Sequence, residues 1–183
     1  SITIHDSIDY IGTFAFASTA YYENFANWEG NLLYLNNWLI AARTSSNGEY
    51  IIKDSIRGVA FNVFQNCIVR TINSESLIPP IISGGSTGLG INNLFTVNVS
   101  CQALSAYLSN HDWMVLNVQA IPYTVELSVN DADMGSVSLT NNTCNSTMFQ
   151  AFPNIGYTFQ SWNDGNTQNP RFVNVTCDTT FTA

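Results

Sequence analysis

Two stretches of the chain repeat one residue pattern at a constant offset, and this repetition constrains the fold more than any other feature. "ITIHDSIDYIGTFAF" (residues 2–16) aligns with "YIIKDSIRGVAFNVF" (residues 50–64). Asp6-Ser7-Ile8 falls on Asp54-Ser55-Ile56, Ile4 on Ile52, Ile11 on Val59, and Phe16 on Phe64. Each copy reads as a short β-branched strand, an Asp-Ser turn and an apolar ladder ending in Phe. One strand and one compact turn per repeat is the sequence form of a solenoid coil, whose apolar face is buried by stacking on its neighbour.

The remaining segments read as short elements. "NLLYLNNWLIAA" (residues 31–42) is two apolar runs broken by Asn36-Asn37. Asn tolerates positive φ, so this predicts a β-hairpin. "LIPP" (residues 77–80) is extended, because a residue before Pro avoids the helical region. "SGGSTGLG" (residues 83–90) reads as a flexible loop, and "LFTVNVS" (residues 94–100) alternates as a strand. "CQALSAYLSNHDW" (residues 101–113) sets Leu104, Tyr107 and Leu108 on one helical face. Behind Pro122, "YTVELSV", "GSVSLT", "TMFQAF", "YTFQSW", "RFVNVT" and "TTFTA" each alternate between Asn, Asp, Gly or Pro punctuation. They predict a small all-β module. In it, Tyr157, Phe159 and Trp162 form one hairpin arm. The other arm has Phe172, Asn174 and Thr176 on one face and Val173 and Val175 on the other. The polar residues Asn163 to Asn169 bridge the arms as a turn, not as a ligand site.

These residues carry two family resemblances. "SITIHDSIDYIGTFAF" and "YIIKDSIRGVAFNVFQNC", with their recurring strand, turn and "AF" pair, resemble BspA-like leucine-rich repeats. "ASTAYYENFANWEGNLLYLNNWLIAA" (residues 17–42) is similar to an insertion of that family, in which a Trp-containing loop leads into a two-stranded excursion. The likeness covers about residues 1 to 70, and residues 71–121 resemble the tail that closes such arrays. "MGSVS" and "AFPNIGYTFQSWNDGNTQNPRFVNVTCDTTFTA" resemble the divergent internalin B-repeat, where a glycine-aromatic strand precedes a Trp and an Asn-Pro hairpin arm. Together they imply a mainly β chain: residues 1–121 are the end of a leucine-rich-repeat β-solenoid with a short capping helix, and residues 122–183 a small all-β module. Two copies fall short of the roughly three coils a solenoid needs. The N-terminus is therefore expected to be a cut through a longer array. The B-repeat family carries one more aromatic beyond "TA", so Ala183 is an expected truncation point or linker start.

Composition narrows the partners. Charged residues are 10% of the chain, against about 25% in an average soluble domain. The net charge is −8 with five basic residues, which argues against nucleic acid and anionic lipid surfaces. No basic segment followed by an apolar one is present. The most apolar window, Leu32 to Ala42, is too short to span a bilayer, so direct membrane insertion is not expected. Few lysines guard the sheet edges, which leaves lateral association open. The four cysteines, Cys67, Cys101, Cys144 and Cys177, stand far apart along the chain, without the close spacing of a zinc site. An even count in a charge-poor, Asn/Thr-rich chain favours disulfides and an extracellular or cell-surface location. Three pairings are possible. The expected one is Cys67–Cys101 with Cys144–Cys177, and four buried thiols are the alternative.

Chemistry-bearing clusters are sparse. His5 and His111 are the two histidines, and His111-Asp112 adjacency does not orient an imidazole. No Gly-x-Ser-x-Gly elbow occurs. No catalytic residue and no cofactor is expected. Asn130, Asp131 and Asp133 have calcium-like spacing, but lack the Glu and Gly of an EF-hand loop, and turn capping uses the same residues. Tyr21, Tyr22, Phe25, Trp28, Tyr34 and Trp38 gather around the predicted hairpin. They are either a recognition surface or packing against the body of the fold. Trp113 and Trp162 are expected core residues. Asn98, Asn141, Asn145 and Asn174 head Asn-x-Ser/Thr tripeptides. With the resemblances, this points to a non-catalytic piece of an extracellular or cell-surface protein for adhesion or protein-protein recognition. Its partner would be a protein or glycan on another surface, or copies of itself. The alternatives are a structural subunit of an extracellular filament or virion appendage, and an accessory module of a larger secreted enzyme.

Overall fold

The computed structural model describes residues 2–183 and is mainly β, with two short α-helices among those residues, α1 (Ala20–Glu23) and α2 (Leu104–Ser109). No described helix is long and apolar enough to cross a membrane. The chain divides into two units, the first ending at Ala120 and the second being Ile121–Ala183.

In the first unit the chain alternates between two sheets. One sheet has β1 (Trp28–Glu29), β2 (Leu32–Leu35), β3 (Trp38–Ala42), β5 (Gly58–Val59) and β7 (Ile81–Ile82) in that order. The other has β4 (Glu49–Ile52), β6 (Thr71–Ser74), β8 (Thr96–Ser100) and β9 (Val118–Ile121). β2 and β3 form the hairpin, with Asn36 at φ 52° in its turn. β3, β5 and β7 pair in parallel, as do β4, β6 and β8, so the chain returns along these strands in the same direction. Tyr50, Ile72 and Val97 share one register. Trp38, Gly58 and Ile81 share the other.

Side chains alternate across each strand, so both faces of the first sheet can be buried. Leu32, Tyr34, Leu39 and Val59 enter a core with Tyr50, Ile52, Ile72 and Val97. Phe64 packs edge-on to Tyr50, and Tyr107 of α2 edge-on to Trp113, in the same core. Leu33, Leu35, Trp38 and Ile40 point the other way, into a second core with Ile11 and Ala60. The expected helical face is correct at Leu104 and Tyr107, whereas Leu108 is exposed. The segment read as a flexible loop instead forms a tight turn at Ser86–Leu89 with Leu89 buried.

The sequence repetition survives in the turns and not in a strand. Residues 2–16 contain no strand, although the aligned Tyr50 to Ile52 lie in β4. Yet the N–H groups of Ala15, Ala17 and Thr19 donate to Gly12, Phe14 and Phe16 at 3.3, 2.9 and 3.3 Å. The aligned Val63, Gln65 and Cys67 donate to Ala60, Asn62 and Phe64 at 3.3, 2.9 and 2.9 Å. Phe14 and Asn62 share φ of 56° and 58°, and Ser18 and Asn66 share 59° and 71°. The missing strand has a physical cause. The free edge of β4 is occupied by Tyr34, whose hydroxyl donates to Ile51 O and accepts from the Lys53 N–H, both at 3.3 Å. Residues 4–16 cross the outer face instead: Ile4 N–H bonds the Asn36 side chain at 3.0 Å, and Ile11 O accepts Phe61 N–H at 2.7 Å.

The second unit pairs β10 (Val125–Ser128) in parallel with β14 (Thr179–Thr182). It also has an antiparallel sheet of β11 (Gly135–Asn142), β12 (Thr147–Pro153) and β13 (Arg171–Val173). Phe149, Ala151, Trp162, Val175 and Phe181 form its core, with Phe149 stacked on Phe181 at 4.7 Å. "YTFQSW" is not a strand. Its expected hairpin is prevented because residues 162–169 fold onto Trp162. The indole donates to Gln168 O at 2.9 Å and the Trp162 N–H to Asn166 O at 2.8 Å.

Neither expected cysteine pairing is present. Cys67 and Cys177 are free thiols, half-buried and exposed, while Cys101 and Cys144 are disulfide-bonded. Cys67 precedes β6 and Cys101 follows β8, and these strands run parallel, so the two lie at opposite ends of the β6–β8 ladder. At about 3.3 Å per residue, the length of that ladder exceeds the roughly 7 Å Cα separation a disulfide tolerates. Cys144 already holds a bond, which leaves Cys177 without a cysteine partner. A disulfide of this kind belongs to an oxidising setting.

Candidate functional site

The aromatic segment of the first unit is built from two caps. Thr19 caps α1, its hydroxyl accepting the Tyr22 N–H at 3.2 Å, and Asn24 caps the turn Phe25–Asn27, accepting Ala26 N–H at 3.1 Å. That turn delivers Trp28 into β1. Tyr21 Oη donates to Tyr34 O at 2.6 Å, Asn27 Nδ2 to Tyr21 O at 2.8 Å, and Trp28 Nε1 to Tyr22 O at 2.9 Å. Tyr22 meets Trp28 edge-on at 5.4 Å. The polar atoms of Tyr21 and Trp28 are thus paired, which fixes their rings.

Arg43, directly after β3, completes the arrangement. Its guanidinium carbon lies 3.7 Å from the Trp28 ring centre and 4.3 Å from that of Phe25. Phe25 is 75% exposed, Trp28 and Arg43 are half-buried, and Arg43 has no carboxylate partner among the described residues. A guanidinium carries five N–H donors in a fixed plane. Stacking uses the faces and leaves those edge donors free for a carboxylate or carbonyl. Lys53 sits nearby on the Tyr34 ring at 4.1 Å and pairs with Glu29 at 2.6 Å. Burial pushes the Tyr34 hydroxyl up to about 12.

The expected aromatic set therefore splits. Phe25 and Trp28 reach the surface, and Tyr21 and Tyr22 support them half-buried. Tyr34 and Trp38 are core residues; Trp38 is 0% exposed, which corrects their expected place on a binding surface. Both belong to strands buried on both faces, so neither ring is available. Sequence reasoning passes over Arg43, whose signal is a rare cation directly after an aromatic strand.

The other candidates are accounted for locally. Asp131 accepts the Asp133 N–H at 2.9 Å and its carbonyl the Met134 N–H at 3.1 Å, a turn capped by its own side chain. No group of three metal-ligating side chains occurs among the described residues. His5 Nδ1 lies 2.8 Å from Ser7 Oγ on the surface, and His111 lies 3.3 Å from Asp112. Asn98 donates to Asn73 on the neighbouring strand at 2.9 Å, Asn141 to Ser146 O at 3.3 Å, and Asn145 and Asn174 are exposed.

The second unit has a cleft of about 390 Å³. The run Tyr157 to Asn163 lines it, together with Gly135, Phe152 and Asp131. Trp162 also reaches this cleft but is buried with its indole N–H already bonded.

No protein-family model, no curated protein and no solved structure matches the chain.

Proposed function

We propose that this chain is a non-catalytic recognition protein acting outside the cell or on its surface, with Phe25, Arg43 and Trp28 as its contact patch. One observation carries the reading: a guanidinium held between two rings at 3.7 and 4.3 Å, without an ion-pair partner among the described residues. Arg and Trp are the side chains that most often dominate interface energetics. A pre-stacked guanidinium also loses less freedom on binding than a mobile one. The fitting partner presents a carboxylate, on an acidic protein loop or an acidic glycan.

The resemblances to BspA-like leucine-rich repeats and to internalin B-repeats belong to the same reading, and they make the activity adhesion. The parallel returns of the chain at Tyr50, Ile72 and Val97 support it, as does the disulfide chemistry at Cys101 and Cys144. The test measures retention of the full chain on immobilised extracellular-matrix proteins and uronic- or sialic-acid glycans. Retention on at least one surface, weakened tenfold or more by Arg43→Ala and by Phe25→Ala, is expected. Leu94→Ala, at a 99% exposed residue elsewhere, serves as the control. Equal retention of all three variants removes the patch from the function.

A further inference from the structure

We infer that the cleft of the second unit receives an extended peptide strand bearing lysine or arginine, paired through its main chain with Thr158 to Ser161. The run from Tyr157 to Trp162 has no turn or bend and belongs to no sheet. Its hydrogen bonds stop at the Tyr157 N–H, given to Asn154 O at 3.0 Å, and resume at the Trp162 N–H. Between them, the N–H and C=O groups of Thr158, Phe159, Gln160 and Ser161 have no partner among the described residues. Four extended residues span about 13 Å, the length of a short strand. A row of unpaired main-chain groups is a template for an added strand.

The run is also anchored within its free section and just beyond it. Phe159 packs on Trp162 at 5.2 Å, and the Asn163 N–H donates to Thr182 O at 2.8 Å. An anchored template loses little freedom when a partner pairs with it. The cleft beside it falls within the size range of ligand sites. Tyr157, Phe152 and Met134 line it and remain partly exposed, which provides apolar seats for alternate side chains of a bound strand.

Charge selects the occupant. Glu126, Asp131, Asp133, Asp164 and Asp178 face a single cation in this unit, Arg171, which is buried and bonded to Asp164. The surface of the unit thus offers carboxylates without a free cation, and Asp131 lies on the cleft wall. A cationic strand is attracted there and an acidic one repelled. Trp162 is 1% exposed and provides no seat of its own, so the large exposed apolar side chains of the lining are Phe152, Tyr157 and Met134.

The test titrates the full chain, isotopically labelled, with the capped heptapeptide acetyl-Thr-Val-Lys-Val-Lys-Val-Thr-amide. Saturable binding is expected, with amide signals of Thr158 to Ser161 shifted and their hydrogen exchange slowed at least tenfold. N-methylation of alternate peptide amides along one edge lowers affinity tenfold or more, and so does exchanging both lysines for glutamate. Asp131→Asn weakens the lysine peptide while the Trp162 indole signal reports an unchanged fold. The inference is overturned by an absence of shifts at millimolar peptide, by shifts confined to other residues, or by unchanged affinity of the N-methylated peptide. Chitotriose binding at these residues in place of the peptide overturns it as well.

Discussion

Arg171 sets its two Nη atoms on the two carboxylate oxygens of Asp164, at 2.8 and 2.6 Å, and so closes the polar loop over Trp162. The Arg171 side chain is 8% exposed and its guanidinium also faces the Phe181 ring at 4.7 Å. The hydrogen bonds from Arg171 hold the Asp164 carboxyl below its ordinary value, helped by the Asn166 N–H. A folded-state value lower than the unfolded one gives stability that is present above the unfolded pKa and is lost as pH falls through the folded one. The second unit is therefore expected to lose melting temperature below about pH 4. Asp164→Asn lowers the melting temperature at neutral pH and flattens the acid limb. Parallel acid limbs for the two proteins, in melts from about pH 2 to 7, exclude this pair as their source.

That loop marks what the sequence made legible. Asn163 to Asn169 are recognisable as turn residues, because Asn and Asp cap backbone locally. The bonds that decide the outcome are not local. The Asn169 side chain takes both the N–H and the C=O of Ala151 on β12, at 2.9 and 2.8 Å, and no pattern in residues 157–176 announces it. Val175 is buried and Phe172 exposed, as alternation predicts, because that rule needs one apolar face alone. The hairpin at Asn36 is legible for the same local reason. The burial of Tyr34 and Trp38 is written in the unbroken apolar runs "LLYL" and "WLIAA", the mark of strands covered on both faces, which competes with the pull of aromatics toward a surface reading. Cysteine pairing depends on which ladder ends meet, and spacing does not contain that.

Three tryptophans allow an internal comparison. Trp113 Nε1 donates to Pro80 O at 2.7 Å and Trp162 Nε1 to Gln168 O at 2.9 Å, whereas the buried Trp38 Nε1 has no partner among the described residues. Replacement by Phe removes similar ring volume in each case. In Trp113→Phe and Trp162→Phe it also strips a carbonyl of its donor, adding about 1–3 kcal/mol. Trp38→Phe instead removes an unpaired N–H. Denaturant unfolding should therefore rank Trp38→Phe as the milder change within the first unit. An equal loss for Trp38→Phe and Trp113→Phe means that water satisfies the Trp38 indole.

Gly88 and Gly58 are held by close approach. A Cβ on Gly88 would lie 1.8 Å from the Ser83 carbonyl oxygen, and one on Gly58 2.6 Å from the Trp38 ring. Gly12 has only the Tyr10 ring, at 3.8 Å. Backbone yields less than a ring edge. Gly58→Ala should cost about 1–3 kcal/mol, Gly88→Ala more, and Gly12→Ala within about 0.5 kcal/mol. Urea midpoints measure the order, and a tolerated Gly88→Ala shows that the Ser86–Leu89 turn moves freely.

Tyr34 joins stability to association. Its hydroxyl fills the free edge of β4 by bridging Ile51 O and Lys53 N–H. Tyr34→Phe removes two main-chain hydrogen bonds, a loss of roughly 1–3 kcal/mol. It also bares a strand edge that only Lys53 and Glu49 then guard, so this variant should associate more than the unsubstituted chain in sedimentation velocity at rising concentration. Burial pushes Tyr34, Tyr50 and Tyr107 up to about 12 from 10.0. A raised folded-state value means that the stability is present below pH 10.0 and is lost as pH climbs toward 12. Absorbance titration should therefore leave Tyr34, Tyr50 and Tyr107 silent until alkaline unfolding, and Tyr50 and Tyr107 in Tyr34→Phe. Association unchanged by the substitution, with the silent tyrosine lost as expected, would place edge protection in the Lys53–Glu29 pair instead of in the hydroxyl.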